Sequence, residues 1–297
     1  MNNISLMGVG KLGLCFGLTL EKAGYNVLGC DIRGEYVTLL NNKTFNSFEE
    51  GVNQGLMKAV NFQATTSMEK TLNFSDIIFV LVATPSLKNG RYDHSQIDTL
   101  VEKVKSFGVQ KKPKHLIVCC TTMPGYCDTV QERLRDFNYI VSYNPEFIAQ
   151  GTILRDQLQP DMVLIGEGSP EAGDILQEIY ENHTATEPLV YRMSRTEAEI
   201  CKISLNCFVT TKISFANMIG DIVIKSGGDP KIVLEAIGSD SRIGNKYLGY
   251  GFGYGGPCFP RDNRALAIYA DDLDMQADIS VATDPLNEKN LNFLEKD

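Results

Sequence analysis

Apolar residues in the first 190 positions fall into short runs, separated by longer stretches with helical periodicity. Ile4–Met7, Asn26–Cys30, Ile77–Val82, Leu116–Cys119, Tyr139–Val141 and Met162–Ile165 read as strands buried on both faces. Between them, Lys11–Ala23, Ser95–Phe107, Pro124–Phe137 and Pro170–Asn182 read as helices. Such alternation predicts an α/β fold, a Rossmann-like doubly wound parallel sheet covered on both faces.

The texture changes at Ser194. Ser194 and Glu197 have the spacing of a capping box, in which each side chain satisfies a backbone amide at a helix start. Neither Pro nor paired Gly interrupts the chain until Gly227-Gly228-Asp229-Pro230. About thirty residues at 1.5 Å each predict a helix of roughly 45 Å. The expected organisation is therefore a dinucleotide-binding domain over 1–193 and a smaller all-helical domain, built on this central helix, over 194–297. The helix carries Ile203, Phe208, Ile213, Phe215 and Ile219, more apolar surface than it can bury alone, which predicts a homodimer around it. A second helix is expected over Pro230–Ile237, a glycine-rich loop over Gly249–Gly256 and a helix over Pro260–Ala270. The tail beyond Asp271 is polar, with one weak helix expected from Asp284 onward.

A net charge of −9 speaks against general affinity for nucleic acid or anionic membrane, which needs clustered Lys and Arg. No apolar run approaches the roughly 18 residues of a membrane span, and no basic segment leads into an apolar one at the N-terminus. Eight cysteines with no Cys-x-x-Cys pair point to reduced thiols and a cytoplasmic location. His94, His115 and His183 are scattered singly, so neither a metal site nor a Ser-His-Asp triad is expected.

Gly8-Val9-Gly10-Lys11-Leu12-Gly13 follows an apolar strand and opens a helix, the context that gives a three-glycine pattern meaning. Gly8 permits the tight turn, Gly10 lets backbone approach a pyrophosphate, and Gly13 allows close packing; the helix amides attract the anion. Asp31 ends the second strand, where a carboxylate binds the ribose hydroxyls. Arg33 nearby would suit the extra phosphate of NADP, but such an Arg is more often simply solvated or stacked over adenine, and NAD is the expected cofactor.

Seven cysteines sit in apolar strand or helix contexts. Cys258 differs: it stands in Gly255-Gly256-Pro257-Cys258-Phe259-Pro260-Arg261-Asp262, between a glycine loop and a helix start marked by Pro260. A helix N-terminus and Arg261 both favour the thiolate, the nucleophilic form. Lys202 and Asn206, four residues apart, share a helix face.

This cysteine motif resembles that of the UDP-glucose/GDP-mannose dehydrogenase family. The resemblance extends in order through Gly8–Gly13, Thr121-Thr122-Met123-Pro124, Asn144-Pro145-Glu146-Phe147, the helix bearing Lys202 and Asn206, and Asp240–Lys246, covering essentially residues 1–270. The last block is similar to UDP-glucose dehydrogenases in particular. The resemblance implies a two-step, four-electron oxidation of a nucleotide-sugar C6 alcohol to the uronic acid. The aldehyde is held on Cys258 as a thiohemiacetal, a second hydride departs, and the resulting thioester is hydrolysed. It further implies that Lys202 and Asn206 stabilise the alkoxide, and that Asp262, Glu146 and Thr122 handle water and protons. Lys11, Leu12, Thr84 and Thr122, with the motif residues above, would contact cofactor. Glu146, Phe147, Gln150, Tyr247, Gly255 and Arg242, the last from a neighbouring subunit, would contact substrate.

Gln150 replaces the family's usual glutamate, and Pro257 and Arg261 replace the usual Ser and Lys. Family members typically continue into a C-terminal UDP-binding domain. The sequence given stops at Asp297, so that domain is expected to be dispensed with, supplied by another chain, or part of a longer protein; weak substrate binding is expected without it. Two other readings share many of these features. A two-electron hydroxy-acid dehydrogenase would not need Cys258, and a nucleotide-binding module without catalysis would need neither Cys258, Lys202 nor Asp262.

Overall fold

The computed structural model describes residues 2–294, with side chains through residue 289. Its eight strands are β1 (Asn3–Met7), β2 (Asn26–Cys30), β3 (Phe62–Thr65), β4 (Ile77–Val80), β5 (Lys114–Val118), β6 (Tyr139–Tyr143), β7 (Met162–Gly166) and β8 (Leu189–Met193). The helices are α1 (Lys11–Lys22), α2 (Gly34–Asn41), α3 (Val52–Lys58), α4 (Met68–Phe74), α5 (Ser95–Ser106), α6 (Tyr126–Leu134), α7 (Ile153–Leu158), α8 (Pro170–His183), α9 (Arg195–Lys225), α10 (Pro230–Ser239), α11 (Phe259–Asp271) and α12 (Asp278–Leu294). Backbone contacts divide the chain into two units. The first runs to Pro85 and resumes over Asp93–Glu199; the second comprises Ser86–Tyr92 and the chain from Ile200 onward.

The first unit is the expected doubly wound sheet, in the order β3-β2-β1-β4-β5-β6-β7-β8. The strands pair in parallel except β6 with β7, which meet antiparallel at Tyr143 and Gly166. Every apolar run assigned to a strand is one, with ends shifted by up to two residues. Two strands escaped the run criterion, β3 and β8, and both lie at sheet edges, where one side of the ladder is open. Phe62–Thr65 alternates buried and exposed residues, and Leu189 and Tyr191 on β8 are exposed. Short α2, α3, α4 and α7 were likewise missed: one or two turns cannot display a 3.6-residue period.

The core is built on Ile4, Leu6, Phe16, Leu20, Phe79 and Ile117, with Phe16 and Phe79 edge to face at 5.0 Å between ring centroids. Gly17 makes this packing possible. A Cβ there would lie 2.7 Å from the Phe62 ring and 3.0 Å from Leu6 Cδ1, so α1 rests directly on the sheet only because the position is glycine.

The capping box at α9 forms as expected: Ser194 N donates to Glu197 Oε2 at 2.9 Å, and Glu197 N to Ser194 Oγ at 3.3 Å. Arg195 and Thr196 both donate to Asp128 of α6, fixing the helix start within the first unit. The segment expected as one helix over Pro124–Phe137 begins two residues later, after left-handed Gly125, and closes with a 3-10 turn over Arg135–Phe137. The C-terminal helix begins at Asp278, not Asp284, and carries Pro285 in its interior, a residue that marks a first turn more often than a middle one.

Helix α9 has 31 residues. Over an 18-residue window its mean hydropathy is 1.4, so by length and composition it is able to cross a membrane, although no uninterrupted apolar run of that size exists. Polar groups punctuate it and bond within the second unit. Thr210 pairs with Asn263, and Asn217 with the backbone of Gly251 and Phe252, as in a core helix of a globular domain.

Candidate active site

In an open parallel sheet, ligands bind beyond the carboxyl ends of the strands, at the point where strand order reverses. Here that point lies between β1 and β4. Gly8–Gly13 follows β1, Asp31 follows β2, Thr84 follows β4, Thr121 and Thr122 follow β5, and Glu146 follows β6. Five sequence-chosen residue groups of the first unit therefore share one edge of one sheet.

The glycine turn meets the demands of a pyrophosphate. Gly8 has φ +96°, and a Cβ there would sit 2.5 Å from the Leu81 carbonyl oxygen. A Cβ on Gly13 would come within 2.1 Å of the Gly8 carbonyl oxygen, so the third glycine closes the helix onto the turn itself; the helix–sheet contact is made at Gly17. Around Gly10 nothing lies within 4 Å of a built Cβ, which leaves open space beside the first amides of α1. The N-cap residue, Gly10, has no side chain to cap those amides. Close packing on one side and vacancy beside free donors is the arrangement an anion requires.

Asp31 accepts from the Arg33 backbone at 3.1 Å and from both arms of its guanidinium at 2.9 Å. Burial pushes the Asp31 carboxyl up, but these donors outweigh it and hold the group below its ordinary range. Arg33 also lies 4.1 Å above the Tyr36 ring. Its charge is thus spent on the carboxylate that the sequence assigns to the ribose.

The Thr121–Cys127 turn rests on a residue that sequence reasoning missed. Glu199, on the first turns of α9, is 0% exposed. Its Oε1 accepts from Thr122 Oγ1 at 2.7 Å and Cys127 N at 3.0 Å, and its Oε2 from Gly125 N at 2.6 Å. The Gly125 N-cap has no side chain to offer α6, and Glu199 supplies the cap from a different helix. Burial raises the Glu199 carboxyl and these donors pull it back, leaving it somewhat above the usual range. From the other side, Met123 N donates to His94 Nε2 at 3.2 Å, and His94 stacks on Tyr126 at 3.7 Å. Burial brings His94 down to about 4, so the ring is neutral near pH 7 and free to accept. Thr84 joins the same turn through a 2.8 Å bond to the Thr121 carbonyl.

After β6, Glu146 and Phe147 are half-buried and Gln150 is exposed. Buried Glu49 ties this loop to the dinucleotide turn: it accepts from Gly151 N at 2.9 Å and pairs with Lys11 Nζ at 3.5 Å. Glu49 is a second group invisible from sequence patterning.

In the second unit, Lys202 is only 8% exposed, unlike a solvated surface lysine. Asn206 Nδ2, one turn on, donates to Asp262 Oδ2 at 2.6 Å. Asp262 Oδ1 accepts from Tyr92 Oη at 2.7 Å and from Arg261 Nε at 3.2 Å. Asp262 therefore serves a side-chain cluster. Cys258 is exposed at the N-cap of α11 and makes no cap bond, while Pro260 occupies the first turn as expected. The other seven cysteines are buried or half-buried, and none forms a disulfide.

Two asparagines hold the glycine-rich loop. Asn217 of α9 bonds Gly251 N at 2.9 Å and the Phe252 carbonyl at 2.9 Å. Asn287 of α12 bonds Tyr254 N at 2.7 Å and Tyr254 O at 2.8 Å. Gly255 is exposed, with nothing within 4 Å of a built Cβ. Arg242 and Tyr247 are exposed, and Arg242 pairs with its neighbour Asp240.

Residues 2–184 match the NAD-binding domain of the UDP-glucose/GDP-mannose dehydrogenase family, and residues 196–289 match its central domain. The chain is 31% identical over 283 residues to UDP-glucose 6-dehydrogenase YwqF of Bacillus subtilis, covering 92% of this chain and 62% of that protein. It is 32% identical over 288 residues to GDP-mannose 6-dehydrogenase of Pseudomonas savastanoi, covering 92% and 65% respectively. A UDP-glucose dehydrogenase structure from Pyrobaculum islandicum superposes with a TM-score of 0.89 at 29% identity, over 97% of this chain and 68% of that one. The chain thus spans somewhat under two thirds of the length of the two curated relatives.

Proposed function

The chain belongs to the UDP-glucose/GDP-mannose dehydrogenase family, and from that premise we propose that it oxidises the C6 alcohol of a nucleotide sugar to the uronic acid, with UDP-glucose the first candidate. The observation that carries this reading is Cys258: an exposed thiol at the start of α11, four residues before a buried carboxylate already bonded to Asn206. NAD, when bound, supplies the hydride acceptor, and the glycine turn and Asp31 of the first unit are the residues that would hold it.

The chain's own residues do the rest. Lys202 brings a cation and Asn206 a donor to the oxygen of the substrate, where negative charge grows as hydride leaves carbon. The aldehyde so formed has no hydrogen on carbon that departs easily. Addition of the Cys258 sulfur to the carbonyl carbon restores a tetrahedral centre from which a second hydride departs, leaving a thioester. Water then adds to the acyl carbon, the C–S bond breaks, and the electron pair returns to sulfur; Asp262 takes the proton that water releases. Glu146 and Thr122 are assigned to the water and to the substrate. Phe147, Gln150, Tyr247, Gly255 and Arg242 complete the proposed substrate contacts, and Lys11, Leu12 and Thr84 the cofactor contacts.

Incubation with NAD and a panel of UDP-glucose, GDP-mannose and UDP-N-acetylhexosamines tests this reading. The expected result is two NADH per UDP-glucose consumed, with UDP-glucuronate as product; a single NADH with free aldehyde would contradict it. GDP-mannose belongs in the panel because one of the similar proteins is a GDP-mannose 6-dehydrogenase.

Homodimerisation is part of the proposal. Phe208 is 67% exposed on α9, and Phe215, Met218 and Ile222 continue the apolar stripe at helical spacing. Light scattering at micromolar concentration is expected to give twice the 32.9 kDa chain mass; a monomer at that concentration would remove this element. Eight cysteines without a disulfide fit a reducing compartment, and the cytoplasm is the location consistent with it.

A further inference from the structure

The segment Ser86–Tyr92 belongs by its contacts to the second unit although the sequence on either side belongs to the first. It is a small closed hairpin: Leu87 N donates to Arg91 O at 2.8 Å, Gly90 N to Leu87 O at 3.0 Å, and Ser86 bridges Tyr92 antiparallel. It lies along α11. Gly90, at φ +83°, packs against Ile268, where a Cβ would come within 2.6 Å of Cδ1. Arg91 pairs with Asp272. Tyr92, 2% exposed, reaches the first turn of the helix, where its hydroxyl donates to Asp262 Oδ1 and the Arg261 guanidinium lies 4.9 Å from its ring centroid.

Asp262 is 1% exposed, and its carboxylate is gripped from three directions: Tyr92 and Arg261 on Oδ1, Asn206 on Oδ2. Each grip does something different. Asn206 ties the carboxylate to α9, Arg261 comes from the neighbouring position on α11, and Tyr92 ties it to the Ser86–Tyr92 hairpin. A carboxylate held by donors on both oxygens has its plane fixed, and so the direction of its remaining acceptor capacity is fixed as well.

We propose that Tyr92 is a positioning residue for Asp262, setting the orientation in which that carboxylate takes the proton of the water that attacks the Cys258 thioester. This rests on the function assigned above. In the step concerned, the water oxygen bonds the acyl carbon and its proton passes to Asp262. The C–S bond then breaks and the electron pair returns to Cys258. Nothing is oxidised or reduced. Burial, and secondly the Asp262 charge, push the Tyr92 phenol well above its ordinary range, so the hydroxyl keeps its proton and acts at Asp262 as donor alone. The two hydride departures precede this step and do not need water, so the loss should fall selectively on hydrolysis.

The experiment compares the full chain with its Tyr92→Phe, Asp262→Asn and double variants, using UDP-glucose and NAD. Tyr92→Phe keeps the buried ring and removes only the hydroxyl. It is expected to lower kcat by about tenfold to a hundredfold and KM for UDP-glucose along with it, leaving kcat/KM within about threefold of wild type. An acyl adduct on Cys258 should accumulate, seen by intact mass spectrometry after an acid quench, with a fast burst of two NADH per site. In the Asp262→Asn background the same substitution is expected to change kcat less than twofold, because its effect passes through that carboxylate. Additive effects in the double variant, or a kcat loss without adduct, would mean that Tyr92 merely supports the packing of α11 and would overturn the inference. Wild-type turnover matched by Tyr92→Phe would overturn it too, while leaving the proposed function standing. A wild-type chain that forms no uronate from any nucleotide sugar would overturn the function, and this inference with it.

Discussion

Serine in place of cysteine at position 258 is expected to end uronate formation while sparing the first hydride departure. Both side chains place a nucleophilic atom at the N-cap of α11, which makes no cap bond of its own to disturb. They differ in chemistry. Serine's hydroxyl is a weak nucleophile without a base beside it, whereas cysteine's sulfur is intrinsically far more nucleophilic. The rate of acid production should fall on the order of 10³-fold or more. The variant should release aldehyde, detectable by trapping with hydroxylamine, and NADH should stop near one per sugar. A Cys258→Ser protein that makes uronate at a rate near wild type would remove the covalent step from the mechanism.

The second large effect concerns stability. Glu199 is held by a hydroxyl and two backbone amides, both at the start of α6. Removing it as Glu199→Ala leaves two buried donors and one half-buried donor unmatched, and the N-terminus of α6 uncapped. At about 1–3 kcal/mol per unsatisfied buried donor, softened by relaxation, the loss is about 3–5 kcal/mol. In a chain of this size that lowers Tm by roughly 10 °C, measurable by scanning calorimetry. Glu199→Gln should cost less, about 1–3 kcal/mol, because its amide nitrogen must face one of the donors. A Glu199→Ala midpoint within 2 °C of wild type, roughly 1 kcal/mol, would show that the turn finds other partners.

The parts of this fold that were legible in the sequence are those governed by local signals. Central strands such as β1 and β5 are buried on both faces and therefore read as continuous apolar runs. The glycine turn and the Cys258 segment announce themselves through backbone punctuation, since only certain residues tolerate a left-handed φ or a helix start. Edge strands β3 and β8 carry no such mark, because an edge has one face to hide and an open ladder on the other side. The same distinction separates the candidate site residues. Gly8, Gly13 and Asp31 act where they stand in the chain. Glu199 meets Thr122 across 77 positions, and Tyr92 meets Asp262 across 170. A glutamate in an apolar helix and a tyrosine in a polar hairpin are ordinary until the chain has folded, and no periodicity distinguishes them beforehand.

The carboxamide of Asn287 imitates a peptide group. Its oxygen receives the Tyr254 amide proton and its nitrogen returns a bond to the Tyr254 carbonyl, so one side chain replaces a rung of sheet that the glycine loop has no neighbouring strand to form. Because both Tyr254 groups are interior, shortening the chain ahead of position 287 would strand them with no water to turn to. The foundation of the cysteine loop therefore lies almost thirty residues downstream of the sulfur it supports, in a segment whose own composition gives no hint of chemistry.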